Sequence, residues 1–351
     1  MLLEETLKRI LPLDRSVESE AQRRLDRLTK PQGSLGRLEE MALGVACIQG
    51  EVPPRLGRKR VFVFAADHGV TEEGVSAYPR EVTAQMTYNF LNGGAAINVL
   101  SRHFGVDVDV IDMGVDHQFP PLELLRSFKI KPGVANFARG PAMTREEALQ
   151  SVETGIRLAQ EAATKELFLL GAGDMGIGNT TSAAAIFCAL TGVSVRTVAG
   201  RGTGIDTATW ERKVNTTEKG LLLNRPDPHD SLDVLAKVGG LEIGAIAGLI
   251  LGAAAHRIPL VLDGYISTAA ALLSYRWSPA VKDFLFASHL SAECGHRFML
   301  EEMGLSPLLD LGMRLGEGTG AVVAMGLVEA GVKILREMAT FETAAVSGKK
   351  R

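Results

Sequence analysis

The sequence predicts an α/β protein built on an open, doubly wound parallel sheet of about six strands, and three features point there. From Lys59 onward, short β-branched runs stop at Gly, Asp or Ser and give way to small-residue helical patterns, the alternation of parallel strands with crossover helices. Each run ends in polar residues, as in open sheets whose ligand crevice lies outside the carboxyl ends of the strands. Both chain ends read as helix.

In chain order, Leu2, Leu3, Leu7, Ile10 and Leu11 are helically spaced, and Ala21 to Leu28 continues the pattern. A Pro31-Gln32-Gly33-Ser34 break follows, then a third helix over Leu35 to Ile48, and Pro53-Pro54 marks a boundary. Strands are expected at Arg60 to Ala65, Asp107 to Ile111, Glu166 to Leu170, Ser194 to Val198, Pro259 to Leu262 and Phe284 to Ala287. Their polar exits are Asp67-His68-Gly69, Asp112-Met113-Gly114, residues 171–181, residues 200–206, Asp263-Gly264 and residues 288–291. The Gly/Ala-rich run from Ile243 to Ala255 falls short of the ~20 apolar residues of a spanning helix and reads as a buried one. The polar tail after Ser347 is expected to fray.

A chain of 351 residues can bury a large core without disulfide or metal staples. Its formal charge of −3, pI near 6.2 and sparse aromatics exclude a nucleic-acid stripe or a basic membrane face. Cys47, Cys188 and Cys294 form no CxxC pair and read as buried thiols of a cytoplasmic protein. The charged N-terminus lacks the apolar core of a signal peptide.

The most pointed motif is Arg314-Leu315-Gly316-Glu317-Gly318-Thr319-Gly320, one carboxylate among glycines that opens a helix. Such glycines let the backbone approach a ligand while the acid faces it, although an acid at a glycine-rich helix start also suits the helix dipole. Residues 171–182, Gly171-Ala172-Gly173-Asp174-Met175-Gly176 and onward through Ile177, Gly178, Asn179, Thr180 and Thr181, read as a strand exit, a glycine loop and a helix start, a place for phosphate. The GxGxxG match lacks the acid at the end of the next strand that a dinucleotide site needs, and a Walker A lysine is missing. A second glycine loop over residues 200–206, trailed by Arg212 and Lys213, suits a single phosphate, although Lys213 also reads as a solvated surface lysine. Asp263 stands ready for ribose hydroxyls or as an N-cap for the helix from Ile266. Ser291 suits a cap or a ligand contact, and His289, Glu293 and His296 have the spacing of one helix face, where they serve as metal ligands or as hydrogen-bonding groups near the crevice. Tyr78, Gln85, Met86 and Phe90 could frame a flat apolar slot for an aromatic ring, or pack a helix on the sheet.

Together these motifs resemble the nicotinate-nucleotide:dimethylbenzimidazole phosphoribosyltransferase family over nearly the whole chain. The resemblance rests on Thr29 to Glu39, Ala66 to Val70, Gly74 to Pro79, Asp174 to Thr181, Lys237 to Gly240, Leu262 to Gly264, Ser288-His289 and Arg314 to Gly318. It implies a Rossmann-like sheet in a large domain over 56–329 and a small helical domain joining 1–55 with 330–351. It also implies a homodimer with its active site near the subunit interface, no cofactor and no metal, and transfer of the phosphoribosyl group of nicotinate mononucleotide to dimethylbenzimidazole with inversion. By resemblance Glu317 is the general base, and Gly176, Ile177, Gly178, Asn179, Thr180, Gly202, Thr203 and Lys213 meet the phosphate. Asp263, Ser291 and Gly316 meet the ribose or ring, and Tyr78, Gln85, Met86 and Leu315 line the benzimidazole slot. Asp174 departs from the family's Glu and is one methylene shorter, and it is placed at the substrate site. Two rival readings are transfer to another benzimidazole or purine-like base and a regulator that binds the nucleotide without turnover.

Overall fold

The computed structural model describes residues 1–202 and 204–347. Its six strands are β1 (Lys59–Ala66), β2 (Val106–Gly114), β3 (Leu125–Ser127), β4 (Leu169–Met175), β5 (Leu260–Leu262) and β6 (Leu285–Ala287). They form one sheet in the order β3-β2-β1-β4-β5-β6, parallel throughout. The direction of winding reverses between β1 and β4, and a crevice opens there at the strand ends.

Fourteen helices are assigned among the described residues. In the first half lie α1 (Leu2–Arg9), α2 (Glu18–Arg27), α3 (Arg37–Gln49), α4 (Val82–Leu91), α5 (Ala96–Phe104), α6 (Arg145–Thr164) and α7 (Asn179–Thr191). In the second half lie α8 (Val195–Val198), α9 (Thr207–Asn224), α10 (Ser231–Val238), α11 (Leu241–Ala255), α12 (Tyr265–Trp277), α13 (Gly295–Met303) and α14 (Thr319–Glu337). None is long and apolar enough to cross a membrane.

Alternation along β1 explains the layering. Phe62 and Phe64 enter the core covered by α6, α7, α10, α11 and α12, whereas Val61 and Val63 enter the one covered by α3, α5 and α14. The α6–α11 contact is a backbone approach made possible by glycine. A Cβ on Gly155 or Gly248 would overlap main-chain atoms of the facing helix, and one on Gly252 would stand 2.5 Å from Ala159 Cβ. The chain ends meet on the opposite face, where Leu335 of α14 joins Ala21, Leu25, Leu28, Ala42 and Ala46. Thr29 N–H donates to Ala339 O at 3.0 Å, and Arg24 reaches Leu335 O and Arg336 O at the end of α14. One unbroken helix thus runs from the glycine loop at residue 318 to the packing of the termini.

Three expectations change. Ser194 to Val198 is not a strand: Val195 and Val198 are buried and the residues between them exposed, a spacing of three that makes the short helix α8. The sixth strand is instead β3, an edge strand hidden from pattern reading by its brevity and by Arg126, which pairs with Asp109 at 3.0 Å and Glu161 at 2.6 Å. The glycine run that reads as a loop after residue 170 is the body of β4. Its missing side chains make room for α14, since a Cβ on Gly171 would meet Met325 Cε at 2.7 Å and one on Gly173 would overlap the backbone of Glu317. Cys47 and Cys188 are buried, but Cys294 is exposed at the turn before α13, where the inward positions belong to Glu293 and Gly295. Thr203 and residues 348–351, which include the end of the polar tail, lie outside the described residues.

Candidate active site

The loop into α14 carries the most constrained carboxylate of the crevice. Gly316 (φ 86°), Glu317 (φ 62°) and Gly318 (φ 86°) all adopt left-handed backbone, and at Glu317 that costs roughly 1–2 kcal/mol relative to an ordinary conformation. Asp263, at the end of β5, holds the loop. Its Oδ2 accepts from Gly318 N–H at 3.0 Å, and its Oδ1 accepts from Gly320 N–H at 2.7 Å and Ala321 N–H at 3.1 Å. These are the otherwise unpaired first-turn amides of α14, so a carboxylate 55 residues away in sequence serves as its N-terminal anchor. Asp263 neither caps α12, whose N-cap is Gly264, nor borders the cleft where the resemblance places a ribose contact. Burial pushes its carboxyl up to about 7 against the pull of the three amides.

Glu317 is 5% exposed, and its Oε2 has no hydrogen-bond partner. Burial raises its pKa, while the Ile97 backbone acts in the opposite sense. A carboxylate held rigidly, with one oxygen left unpaired and made more basic by burial, has the properties of a proton acceptor. Asp174, near the end of β4, accepts from Asn179 Nδ2 at 2.8 Å and packs under Gly316, where a Cβ would stand 3.4 Å from its oxygens. Burial raises its pKa well above the usual range, and the charges of Asp263, Glu242 and Glu317 add to the effect.

A cleft of about 600 Å³ joins these groups to the two glycine loops. Gly176, Ile177, Gly178, Asn179 and Thr180 line it at the N-terminus of α7, and Gly202 and Lys213 line it from the other side. Ile177 N–H is taken by Thr83 Oγ1 at 3.1 Å, which seats this loop on α4. Lys213 is 1% exposed, and its Nζ donates to Thr180 Oγ1 at 2.9 Å and to Gly200 O at 3.2 Å. Burial lowers its pKa to about 8, with Glu293 opposing. A buried cation beside a helix N-terminus suits a single anionic group such as a phosphate.

The opposite wall is apolar. Met86, Val75, Val82, Ile177 and Met175 line it, with Tyr78 (54% exposed) and Leu315 (58% exposed) at the mouth. Gln85 is exposed on α4 and stands outside the lining. The Tyr78 loop is held at Gly74 O by Arg212 at 3.2 Å and by Arg80, which pairs with Asp116 at 3.1 Å. Ser291 and Gly316 also line the cleft. Ser291 N–H donates to His296 Nδ1 at 2.9 Å, and the His296 Nε2 lies 2.9 Å from Thr268 Oγ1, so this buried ring is neutral, its pKa pushed down to about 3 by burial. The helix begins only at Gly295, so His289, Glu293 and His296 do not share a helix face, and no cluster suited to a metal occurs among the described residues.

Sequence reading misses several lining residues. The pattern around Glu293 suggests a metal ligand or a hydrogen-bonding group, and Arg201, Arg314 and Ser76 lie inside recognised motifs without being singled out there. Below Gly176 lies a buried pair: His68 Nε2 is 2.5 Å from Glu242 Oε1, and its Nδ1 is 3.0 Å from Ser182 Oγ on α7. Thr203 lies outside the described residues.

A family model described as phosphoribosyltransferase matches residues 10–346. The chain is 57% identical over 346 residues to the nicotinate-nucleotide–dimethylbenzimidazole phosphoribosyltransferase of Geotalea uraniireducens, covering 99% of this chain and 98% of that protein. It is 59% identical over 346 residues to the protein of the same name from Geobacter sulfurreducens, with the same coverage. The crystal structure of such an enzyme from Thermus thermophilus superposes with a TM-score of 0.90 at 50% identity, covering 96% of this chain and 100% of that one.

The Lys213 pocket makes anion binding depend on pH in a fixed direction. Sulfate, whose charge is constant over the range, is expected to bind well below the lysine's pKa of about 8 and to weaken progressively above it. Calorimetric titration from neutral to alkaline pH measures this. Constant affinity up to about two units above that pKa would contradict the assignment.

Proposed function

Because the chain belongs to the nicotinate-nucleotide–dimethylbenzimidazole phosphoribosyltransferase family, we propose that its cleft moves the phosphoribosyl group of nicotinate mononucleotide onto 5,6-dimethylbenzimidazole, with Glu317 as general base. The protein is a phosphoribosyltransferase of cobalamin synthesis, and the products are α-ribazole 5′-phosphate and nicotinate. The observation that carries the role of Glu317 is its unpaired, buried Oε2 on a loop of forced left-handed backbone at the cleft.

The chemistry follows from charge. The pyridinium nitrogen of the donor leaves with the electron pair of its bond to C1′ and becomes neutral, while positive charge builds on the ribose. The free nitrogen of dimethylbenzimidazole forms the new bond from the opposite face, which inverts the configuration. The incoming ring becomes cationic, its N–H acidifies, and Glu317 takes that proton. Lys213, Thr180 and the start of α7 hold the donor phosphate, with Gly202 beside them. Asp174 supports Gly316 and Asn179 from below, and Asp263 positions Glu317. Met86 and its apolar neighbours receive the flat base, and holding both rings about one carbon supplies much of the rate.

A second copy of the chain completes the mouth of the cleft in this reading, supported by the exposure there of Tyr78 and Leu315. Three unpaired cysteines suit a reducing cytoplasm.

Glu317→Gln keeps the side chain's shape and removes the base. Its turnover is expected to fall by about 10²–10⁴ with donor affinity largely kept. Chromatographic detection of α-ribazole 5′-phosphate from both substrates measures this, and near-normal turnover would refute the role. Light scattering is expected to give twice the chain's 37.5 kDa, and a monomer at assay concentration would remove the shared mouth.

A further inference from the structure

The phosphate pocket contains an acid that the reaction does not require. Gly202 N–H donates to Glu293 Oε1 at 2.8 Å, while Glu293 Oε2 is buried without a partner. Glu293 is 5% exposed. Its oxygen stands on the same small space as the lysine, for a Cβ on Gly202 would lie 3.1 Å from Thr180 Oγ1 and 3.6 Å from Lys213 Nζ. No ion pair joins Lys213 to a carboxylate among the described residues.

We propose that Glu293 competes with the donor's phosphate for the Gly202 amide and thereby sets the affinity for the donor. This rests on reading the Lys213 pocket as the phosphate subsite. One N–H cannot serve two anions, and a phosphate beside Lys213 repels a carboxylate held at hydrogen-bond distance from its neighbour. The carboxylate therefore withdraws as the phosphate docks. The fold offers it a destination. Glu293 borders both the cleft and a second cavity of about 630 Å³ behind the backbone at Gly200, and Arg201 and Arg314 border both as well. Arg201 is committed to Ile205 O at 2.9 Å and Thr207 Oγ1 at 3.1 Å. Arg314 is exposed and, among the described residues, makes one long bond, from Nε to Gly202 O at 3.4 Å, so its N–H groups can receive the displaced carboxylate. Gly200 leaves room for the carboxylate, because a Cβ there would overlap Glu293 Oε2.

The competition lowers affinity for any phosphate, so a donor must also engage its ribose and ring to be held. Glu293 acts on binding rather than on bond breaking, and the split between KM and kcat reveals it.

Glu293→Gln tests the proposal, since the amide oxygen still accepts from Gly202 and the charge is gone. Inorganic phosphate, titrated calorimetrically at neutral pH, is expected to bind about ten-fold tighter than to the wild type, and KM for nicotinate mononucleotide to fall by a similar factor with kcat little moved. Glu293→Asp, which retracts the charge by one methylene, is expected to show a smaller gain, so a misfolded glutamine variant would not leave the question open. Wild-type protein that binds phosphate no more weakly than both variants would overturn the competition alone. Wild-type protein that binds neither phosphate nor the nucleotide would overturn the phosphate subsite and the competition with it.

Discussion

Three backbone amides at the start of α14 converge on the carboxylate of Asp263, and the place of Glu317 follows from that contact. Left-handed backbone at three successive residues is unfavourable for the one that carries a side chain, and something outside the loop must hold it. Charge-assisted bonds to a buried carboxylate are strong enough for that, each worth about 1.5–3 kcal/mol against the strain at Glu317. Asp263 is itself fixed at the end of β5, so the sheet aims the Glu317 carboxylate directly. The glycines of β4 complete the arrangement, because only a strand without side chains at Gly171 and Gly173 lets α14 and its loop lie against it.

The site separates charge along its length. At one end three carboxyl groups are buried together, Asp263 and Glu317 adding to the raised pKa of Asp174 and Glu317 to that of Asp263, an environment that favours nearby positive charge. At the other end Lys213 and the N-terminus of α7 favour an anion. Glu293 tempers that second end. A nucleotide with a cationic base at one end and a phosphate at the other matches this polarity, and a neutral aromatic acceptor matches the apolar wall between.

Much of this is legible in the sequence because it is local. Strand composition, polar exits, glycine loops and the Glu317 motif are patterns within a dozen residues, and five of the six strands follow from them. What escapes is set by distance or by packing. Nothing near Asp263 announces that its partners are amides 55 to 58 residues later. The glycines of β4 look like a loop because their reason for being small lies in another element. The valines of α8 read as a strand until their spacing of three is seen against buried neighbours, and β3 is too short and too charged to register. Glu293 follows Ser291 in a segment that reads as helix, which points to metal ligation rather than to the amide across the pocket.

Whether Asp263 acts by holding Glu317 and not by touching substrate is decided by the steady-state kinetics of Asp263→Asn. The amide keeps one acceptor oxygen but loses the charge and presents a donor where α14 already presents donors, so the anchor is weakened while the cleft lining is unchanged. A holding role lowers kcat by about 10²–10³ and leaves KM for nicotinate mononucleotide little altered. A normal kcat with a raised KM would contradict it and return Asp263 to the ribose.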